Sequence, residues 1–234
     1  MAACFKQVFA MAKARPADRS AAPEPTRERI LGAAAEIFAA RGFRHATVRT
    51  ICQQARANVA AVNYYFHGKL GLYKAVLHWA MDIMRRGNEG QVPARGQAPA
   101  RQRLEAYYRH RLRICHGDGH ETWIHRLLAQ ENTDPTPAFN LLIEHVYRPS
   151  WMALADVVSD CMNLPCGDWR VQLATGNALG ATMIHIPGPI RNRLGRRPTP
   201  EQRDAEAREL AAYAWAGMQA LAARPRPRFG LDSE

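Results

Sequence analysis

The segment from Cys115 to His125 concentrates side chains that can bind a metal ion or transfer a proton. It reads C-H-G-D-G-H-E-T-W-I-H and combines a thiol, imidazoles and carboxylates. A zinc-binding helix of a hydrolase needs two histidines four residues apart, so that both nitrogens face one ion. Ile124 lies four residues after His120, and His125 is one position too far, which is about 100° around a helix.

His116 and His120 have the required spacing, but Gly117 and Gly119 favour a loop there. The chain also lacks a G-x-S-x-G motif, a phosphate-binding loop and a dinucleotide fingerprint. We therefore expect no catalytic residue, no metal ligand and no cofactor, and we predict that the protein is not an enzyme. A metal-binding sensor, or a metal-dependent enzyme that uses the Cys115–His125 segment, remains the alternative function.

A different chemistry is indicated between residues 37 and 81, where the chain has no Asp or Glu. The basic residues of this stretch are Arg41, Arg44, Arg49, Arg56, Lys69 and Lys74. The whole chain has a net charge of +11, from 32 Lys plus Arg against 21 Asp plus Glu. A unit that excludes negative charge suits a polyanion, and duplex DNA is the partner that this pattern favours.

The composition is typical of a folded α-helical protein. Hydrophobic residues make up 47% of the chain, and apolar positions recur with a period near 3.6 rather than in alternation. No run of about 18 apolar residues occurs, so we predict no transmembrane helix and no membrane partner. Five cysteines without a C-x-x-C pair indicate reduced thiols in a cytoplasmic protein.

Four helices are predicted in the N-terminal part. The first begins near Thr26 and ends at Gly42, the second is capped by Thr47, and the third runs from Val59 to about Tyr65 after an Asn58 cap. The fourth runs from Lys69 to about residue 86. The first three form a compact head with the fourth helix leading away from it, and the second helix buries Val48, Ile51 and Cys52.

A linker rich in Gly, Pro and Gln follows at residues 87–100. Beyond it we predict helices at 101–116, 120–133, 136–162, 168–194 and 199–223. Pro149 should kink the third of these, and Pro187 with Pro189 should break or bend the fourth. Thr199 followed by Pro200 is a strong start for the last helix.

The pattern from Thr47 to Phe66 predicts a helix-turn-helix, whose second helix enters the major groove of DNA. Val59 and Ala60, with Ala61, give that helix a small surface for close approach. Asn63 can form two hydrogen bonds with adenine, and Tyr64 can contact bases or a thymine methyl group. Phe66 is expected to be a core residue.

Other residues of the head are suited to phosphate contacts, which position a protein on DNA. The candidates with hydroxyl groups are Thr47, Thr50 and Tyr65. Lys69 can bind a phosphate through its charge and through the dipole of the helix that it begins. The arginine candidates are Arg49 and Arg56, whereas Arg44 is equally well a solvated charge.

Residues 26–79 resemble the DNA-binding domain of the TetR family of bacterial transcriptional regulators. The resemblance rests on I-L-x-A-A-x-x-I-F-A-x-x-G-F (Ile30 to Phe43), T-V-R-T-I (Thr47 to Ile51) and N-Y-Y-F-H-G-K (Asn63 to Lys69). The A-N-V-A-A-V-N-Y-Y-F variant and the D-P-T-P-A-F segment (Asp134 to Phe139) are similar to the CecR-type branch, so the resemblance extends over residues 26–222. Two positions depart from the family pattern: Arg56 replaces a turn glycine and should adopt positive φ, and Gly68 replaces a serine.

This resemblance implies an all-α protein with a helix-turn-helix head and a larger helical domain for ligand binding and dimerisation. The expected division is a disordered arm at 1–24, the head at 25–79, the C-terminal domain at 80–223 and a disordered tail at 224–234. It further implies a repressor that leaves a pseudo-palindromic operator when a small-molecule effector binds.

The resemblance also implies a homodimer formed through the last two long helices. Their small residues would allow close approach, and they include Ala174, Gly176, Ala178, Gly180 and Ala181, with Leu210, Tyr213, Ala214, Ala216, Gly217 and Leu221 opposite. An effector cavity is expected among the central helices. Its candidate residues combine apolar bulk with polar tips, and they are Trp123, Leu127, His145, Tyr147, Trp151 and His185.

Overall fold

The structure is a computed structural model that describes residues 24–116, 122–185 and 198–225. Within these ranges the chain is helical, apart from turns, coil and one isolated bridge between Arg95 and Ala98, which confirms the all-α prediction. None of the helices described is long and apolar enough to cross a membrane. Most of the arm and tail for which disorder is expected, 1–23 and 226–234, lies outside the described residues.

The helices fall in the order that the periodicity indicates. They are α1 (Glu24–His45), α2 (Val48–Ala55), α3 (Val59–Phe66), α4 (Lys69–Asn88), α5 (Ala100–Cys115), α6 (Thr122–Thr133), α7 (Phe139–Leu142), α8 (Arg148–Met162), α9 (Trp169–Gly180) and α10 (Pro200–Ala222). A π-helical turn spans Ile143–Tyr147 and a 3₁₀ turn spans Met183–His185.

The chain divides into two compact units, each with its own core. The first unit consists of residues 1–86 and 117–147, and the second of residues 87–116 and 148–234. The described residues 122–147, which the sequence assigns to the C-terminal domain, therefore pack with the head. The functional boundary expected after residue 79 stays a prediction.

Local sequence signals set the helix boundaries in the first unit. The helical path of α1 is interrupted at Gly42, whose φ of 75° is open to glycine at little cost. Thr47 caps α2, and its hydroxyl accepts a hydrogen bond from the Thr50 amide. Asn58 caps α3 in the same way through the Ala60 amide. Arg56 ends α2 with φ 49° and ψ 50°, so the predicted left-handed conformation is confirmed.

The core of the first unit joins α1–α4 to α6 and α7. Phe38 packs its ring edge to face with Tyr73 at 4.9 Å between centroids. Ile51, Cys52 and Phe66 are buried, as predicted, whereas Val48 is only partly buried. The carboxylate of Glu131, itself 1% exposed, accepts a 2.5 Å hydrogen bond from the Tyr73 hydroxyl. Burial and this bond together hold the phenol in its neutral form and raise its pKa.

In the second unit α5 packs against α8 and α10, and α9 packs against the same two helices. Its core contains Leu104, Tyr108, Val158, Val171 and Ala211. A buried arginine also organises it: the Arg103 guanidinium, 2% exposed, contacts Asp156 and Asp160 at 2.6 Å each. Its Nε atom donates to the Pro93 carbonyl oxygen at 2.9 Å, which fixes the predicted linker to the unit. The pairing satisfies a charge that would otherwise destabilise the interior.

Two predicted helices are shorter than expected. In the segment 136–162 the helix begins only at Phe139. The residues before it form a turn, in which the Phe139 amide donates a hydrogen bond to the Thr136 carbonyl oxygen. The irregularity expected at Pro149 takes the form of the π-helical turn immediately before it, where the chain accommodates a proline that has no N–H. The segment 168–194 ends its helix at Gly180, and Pro187 and Pro189 lie outside the described residues.

The early end of α9 has a local cause. The Thr182 hydroxyl and amide both donate to the Leu179 carbonyl oxygen, at 2.8 and 3.1 Å. This tighter pattern ends α9 and leads into the 3₁₀ turn. In contrast, α10 begins where expected, with a capping box between Thr199 and Gln202 and Pro200 at its first position.

Candidate nucleic-acid interface

The turn between α2 and α3 is held from within and from α1. The Ala57 amide donates to the Cys52 carbonyl oxygen at 2.9 Å, which closes the left-handed turn at Arg56. Arg29 of α1 donates through Nε to the Ala55 carbonyl oxygen at 3.3 Å. These contacts fix the direction in which α3 leaves the turn.

One face of α3 is fully presented to solvent. Val59 is 45% exposed and Tyr64 is 75% exposed, and Ala60 and Asn63 are exposed between them. At 100° per residue these four positions cover an arc of about 140°. The side of the helix next to this arc buries Val62 and Phe66, so the exposed arc has a fixed orientation relative to the head.

Two side chains on the arc are suited to different contacts. The Asn63 side chain makes no hydrogen bond within the described part of the chain, so its amide retains its full capacity to donate and accept. The Tyr64 ring stands edge to face with Tyr65, at 4.9 Å between centroids, and keeps its hydroxyl outward. Tyr65 is half-buried and packs toward Phe66.

The start of α2 combines a capped helix end with two hydroxyls. Thr50 Oγ1 donates to the Thr47 carbonyl oxygen at 2.8 Å, and the two hydroxyl oxygens are 3.0 Å apart. The Thr50 hydroxyl hydrogen is therefore used locally, whereas the Thr47 hydroxyl hydrogen can turn outward to an anion. Arg49, another residue predicted to contact phosphate, is exposed on the first turn of α2.

Lys69 begins α4 and folds back onto the end of α1. Its ammonium nitrogen is 3.2 Å from the Arg44 carbonyl oxygen and 4.6 Å from the centroid of the Phe43 ring. Partial burial lowers its pKa from the ordinary lysine value. Arg44 itself forms an ion pair with Asp134 at 2.7 Å. The sequence suggested a phosphate contact or a solvated charge for Arg44, and neither includes this pair.

The helix ends on this side of the unit carry no opposing charge. The first turns of α2, α3 and α4 contain no acidic residue. The positive ends of the helix dipoles and the exposed Arg49 and Arg56 are therefore not offset by an acidic residue in these first turns. The nearest acidic residue before the stretch, Glu36, accepts a hydrogen bond from Gln54.

The residues expected to line an effector cavity are divided between the two units. In the first, Trp123 lies against Trp79 with ring centroids 5.2 Å apart, and Leu127 is fully buried. Tyr147 donates to Asn132 at 2.8 Å, and burial raises its pKa. His145 is exposed, 6.2 Å from the ring of His78.

In the second unit, Trp151 donates through Nε1 to Gln172 at 3.1 Å, and His185 lies beside His116 and Glu206. The structure has a cavity of about 330 Å³ in the first unit and one of about 320 Å³ in the second. None of the six candidate residues lines either of these two cavities. The assignment of an effector site to them stays a prediction.

Three structurally important residues have no signal in the sequence. Gly71 allows α4 to pass close to the end of α3, and Arg29 supports the turn from a distant position. Glu206 meets two histidines that are far from it in the chain.

Comparison with known proteins agrees with this arrangement. The chain matches the family model of bacterial regulatory proteins of the tetR family over residues 30–76. It matches the C-terminal domain of the HTH-type transcriptional dual regulator CecR over residues 100–220. The HTH-type transcriptional dual regulator CecR of Shigella flexneri is 26% identical over 166 residues, which are 67% of this chain and 74% of that protein.

Solved structures share the fold at low identity. FadR of Bacillus subtilis, in complex with stearoyl-CoA, is 16% identical with a TM-score of 0.59, over 81% of this chain and 98% of that one. AibR, in complex with isovaleryl coenzyme A and operator DNA, is 20% identical with a TM-score of 0.57, over 77% of this chain and 95% of that one. At this identity the likeness is evidence for the fold.

A helix-turn-helix head joined to a second helical unit defines the class of one-component DNA-binding regulators, and its family relatives are transcriptional regulators rather than enzymes. The chain belongs to the TetR family of transcriptional regulators, in the branch with a CecR-type C-terminal domain.

Proposed function

We propose that this regulator is a cytoplasmic homodimeric repressor that binds a pseudo-palindromic operator and leaves it when a small-molecule effector binds. The observation that carries the proposal is the exposed arc of α3, with Val59, Ala60, Asn63 and Tyr64, in an acid-free stretch of chain. Such an arc fits the major groove, which is about 12 Å wide.

On this proposal the arc reads bases. Val59 and Ala60 are short enough for the start of α3 to come close to the base edges. Asn63 pairs with an adenine through its oxygen and its NH₂ group, since no described neighbour occupies either. The Tyr64 ring, 75% exposed, reaches a base edge or a thymine methyl group.

Phosphate contacts flank the arc and set its register. Thr47 and Arg49 lie at the start of α2, where backbone amides and the helix dipole also favour an anion. The Thr50 hydroxyl already donates its hydrogen to the Thr47 carbonyl oxygen, so we assign Thr50 a supporting role through Thr47. Tyr65 and Lys69 reach the phosphates on the far side of α3.

The dimer is proposed to form through α9 and α10. Large apolar side chains remain exposed there, with Leu173 at 49% and Tyr213 at 83%. Gly180, Ala216 and Gly217 are exposed on the same faces and allow close approach. The small residues Ala174 and Ala178 do not contribute, because they are buried within the second unit.

The dimer is tested by charge substitution on the exposed faces. Leu173→Glu with Tyr213→Glu should convert the dimer into a monomer in light scattering and should abolish operator binding. Met152→Glu, at a position 63% exposed on α8, is the matched control and should remain dimeric. An unchanged molar mass for the double variant would contradict this interface.

Effector binding is supported by the two complexes of related fold, one with stearoyl-CoA and one with isovaleryl coenzyme A and operator DNA. We assign the effector of this chain to the residues predicted for it, which are Trp123, Leu127, His145, Tyr147, Trp151 and His185. The chemical class of the effector is left open by these residues.

The central experiment selects fragments of the host genome that the purified protein retains. The proposal expects a pseudo-palindromic sequence, bound by two subunits, with affinity that falls steeply as salt rises. A sequence-independent architectural protein would retain random fragments equally. Equal retention of specific and random fragments would therefore contradict the proposal.

A further inference from the structure

Two histidines and a glutamate converge in the second unit, and we call them the His116 cluster: His116, His185 and Glu206. His116 Nε2 is 3.1 Å from His185 Nδ1, and His185 Nε2 is 3.6 Å from Glu206 Oε1. One donor atom from each residue can be chosen so that all lie within 4.8 Å of one another. All three side chains are half-buried.

Three separate elements bring these residues together. His116 follows the last turn of α5, where its amide donates to the Leu112 carbonyl oxygen at 2.9 Å. His185 ends the 3₁₀ turn, where its amide donates to the Thr182 carbonyl oxygen at 3.1 Å. Glu206 lies on α10, whose start is fixed by the Thr199 capping box.

Without a metal ion, the same distances fit an interaction among the three side chains alone, in which Glu206 orients His185 and one imidazole donates a hydrogen bond to the other. An ion at about 2.1 Å from each ligand needs donor atoms about 3.3 Å apart. The two imidazole nitrogens already meet that spacing at 3.1 Å. Glu206, whose side chain is 39% exposed, now faces Nε2, the other nitrogen of His185, so metal binding requires its carboxylate to rotate toward Nδ1.

We propose that the His116 cluster binds a divalent transition-metal ion, of the kind that Zn²⁺ represents. Two imidazoles and one carboxylate are the ligand set of Zn²⁺ sites that keep a fourth position for water or another ligand. Nitrogen-rich ligands also select against Mg²⁺ and Ca²⁺, which prefer oxygen.

This site differs from the one considered in the Cys115–His125 segment. It retains His116 from that segment, but its other two ligands come from positions far along the chain. His125 belongs to the first unit, and His120 lies outside the described residues. The bound ion would cross-link α5, the 3₁₀ turn and α10, and so would stabilise the second unit, independently of operator binding.

The test uses the full chain with metal alone. Zn²⁺ affinity is measured by competition with a chromophoric chelator, and Co²⁺ is added to record visible absorption bands of the bound ion. One equivalent should bind to the unaltered protein. His185→Ala and Glu206→Gln should each weaken binding by about tenfold or more, since even indirect neighbours of a metal change affinity by that amount.

His45→Ala is the matched control, because His45 is an exposed histidine of α1 in the first unit and lies outside the cluster. Its Zn²⁺ affinity should equal that of the unaltered protein. Glu206→Gln preserves side-chain shape, so its metal-free melting temperature shows whether the fold is intact. Absence of Co²⁺ bands, or a Zn²⁺ affinity in both cluster variants equal to that of the unaltered protein, would overturn the proposal.

Discussion

Gly71 of α4 lies directly against the main chain at the end of α3. A Cβ atom added at Gly71 would be 1.8 Å from the carbonyl oxygen of Phe66. No side chain can occupy that position unless one helix moves. The absence of a side chain at Gly71 therefore fixes how closely α4 approaches the helix that is proposed to read DNA.

Gly71→Ala is expected to destabilise the protein by about 1–3 kcal/mol, because relief of the overlap must displace backbone rather than a flexible side chain. The intrinsic helix preference of alanine, about 1 kcal/mol, offsets only part of this. Urea unfolding measures the change. Gly176→Ala is the control, since its Cβ would meet Trp151 at an ordinary 3.6 Å. Equal stability for both variants would contradict the packing argument.

Asn63→Ala is expected to reduce sequence discrimination rather than general affinity. The loss should be about 1–3 kcal/mol between the operator and an operator altered at the contacted base. Tyr64→Ala should act in the same way at its own base. Binding to both DNA fragments is measured at one fixed salt concentration. Asn140→Ala, an exposed asparagine on α7, is the control and should leave the ratio unchanged.

Lys69→Ala is expected to weaken binding to every sequence equally and to lower the salt slope by about one. The alternative is that Lys69 serves only the head, through the Arg44 carbonyl oxygen and the Phe43 ring. In that case the melting temperature would fall while the salt slope stayed constant. Lys74→Ala removes an exposed charge from the same helix and should change the slope less.

Local rules were sufficient for most helix boundaries. Thr47, Asn58 and Thr199 each cap the helix that they were expected to begin. The left-handed backbone at Arg56 also followed from its place in the family pattern. These predictions hold because capping and turn geometry depend on a few neighbouring residues.

Contacts between distant residues could not be predicted. The meeting of His116 with His185 and Glu206 depends on how three elements pack, and no local pattern encodes it. The burial of Ala174 and Ala178 was missed for a similar reason, because small residues suit both an internal and an external helix contact. The end of α9 at Gly180 depends on hydrogen bonds from Thr182 that compete with the helix.

Two fully buried tyrosines should respond in opposite ways to loss of the hydroxyl. Tyr73 donates to buried Glu131, whereas the Tyr108 hydroxyl has no hydrogen-bond partner among the described residues. Tyr73→Phe should destabilise the protein by about 1–3 kcal/mol, because it leaves a carboxylate oxygen less satisfied. Tyr108→Phe should be neutral or stabilising by about 1 kcal/mol. Urea unfolding of the two variants side by side checks this. A large loss at Tyr108 would show that its hydroxyl has a partner.

His110 links stability to pH through burial. Its Nε2 lies 2.7 Å from Asn88 Oδ1 and its Nδ1 lies 3.3 Å from Arg113 Nη2. Because the amide oxygen accepts and the guanidinium donates, the ring is neutral with its proton on Nε2. Burial, then the charges of Arg113 and Arg111, lower its pKa to about 4. The unfolded chain takes up this proton near pH 6.5, but the folded chain does not.

Stability should therefore fall as the pH drops from about 6.5 to about 4, by an amount on the order of 3 kcal/mol at most. His110→Gln removes the titrating group and should flatten this part of the profile by about 2 kcal/mol between pH 7 and pH 4.5. The urea midpoint, measured across the range for both proteins, gives the comparison. If His110→Gln and the unaltered protein lost stability in parallel, His110 would be protonated in the folded state and its assigned bond to Arg113 would be wrong.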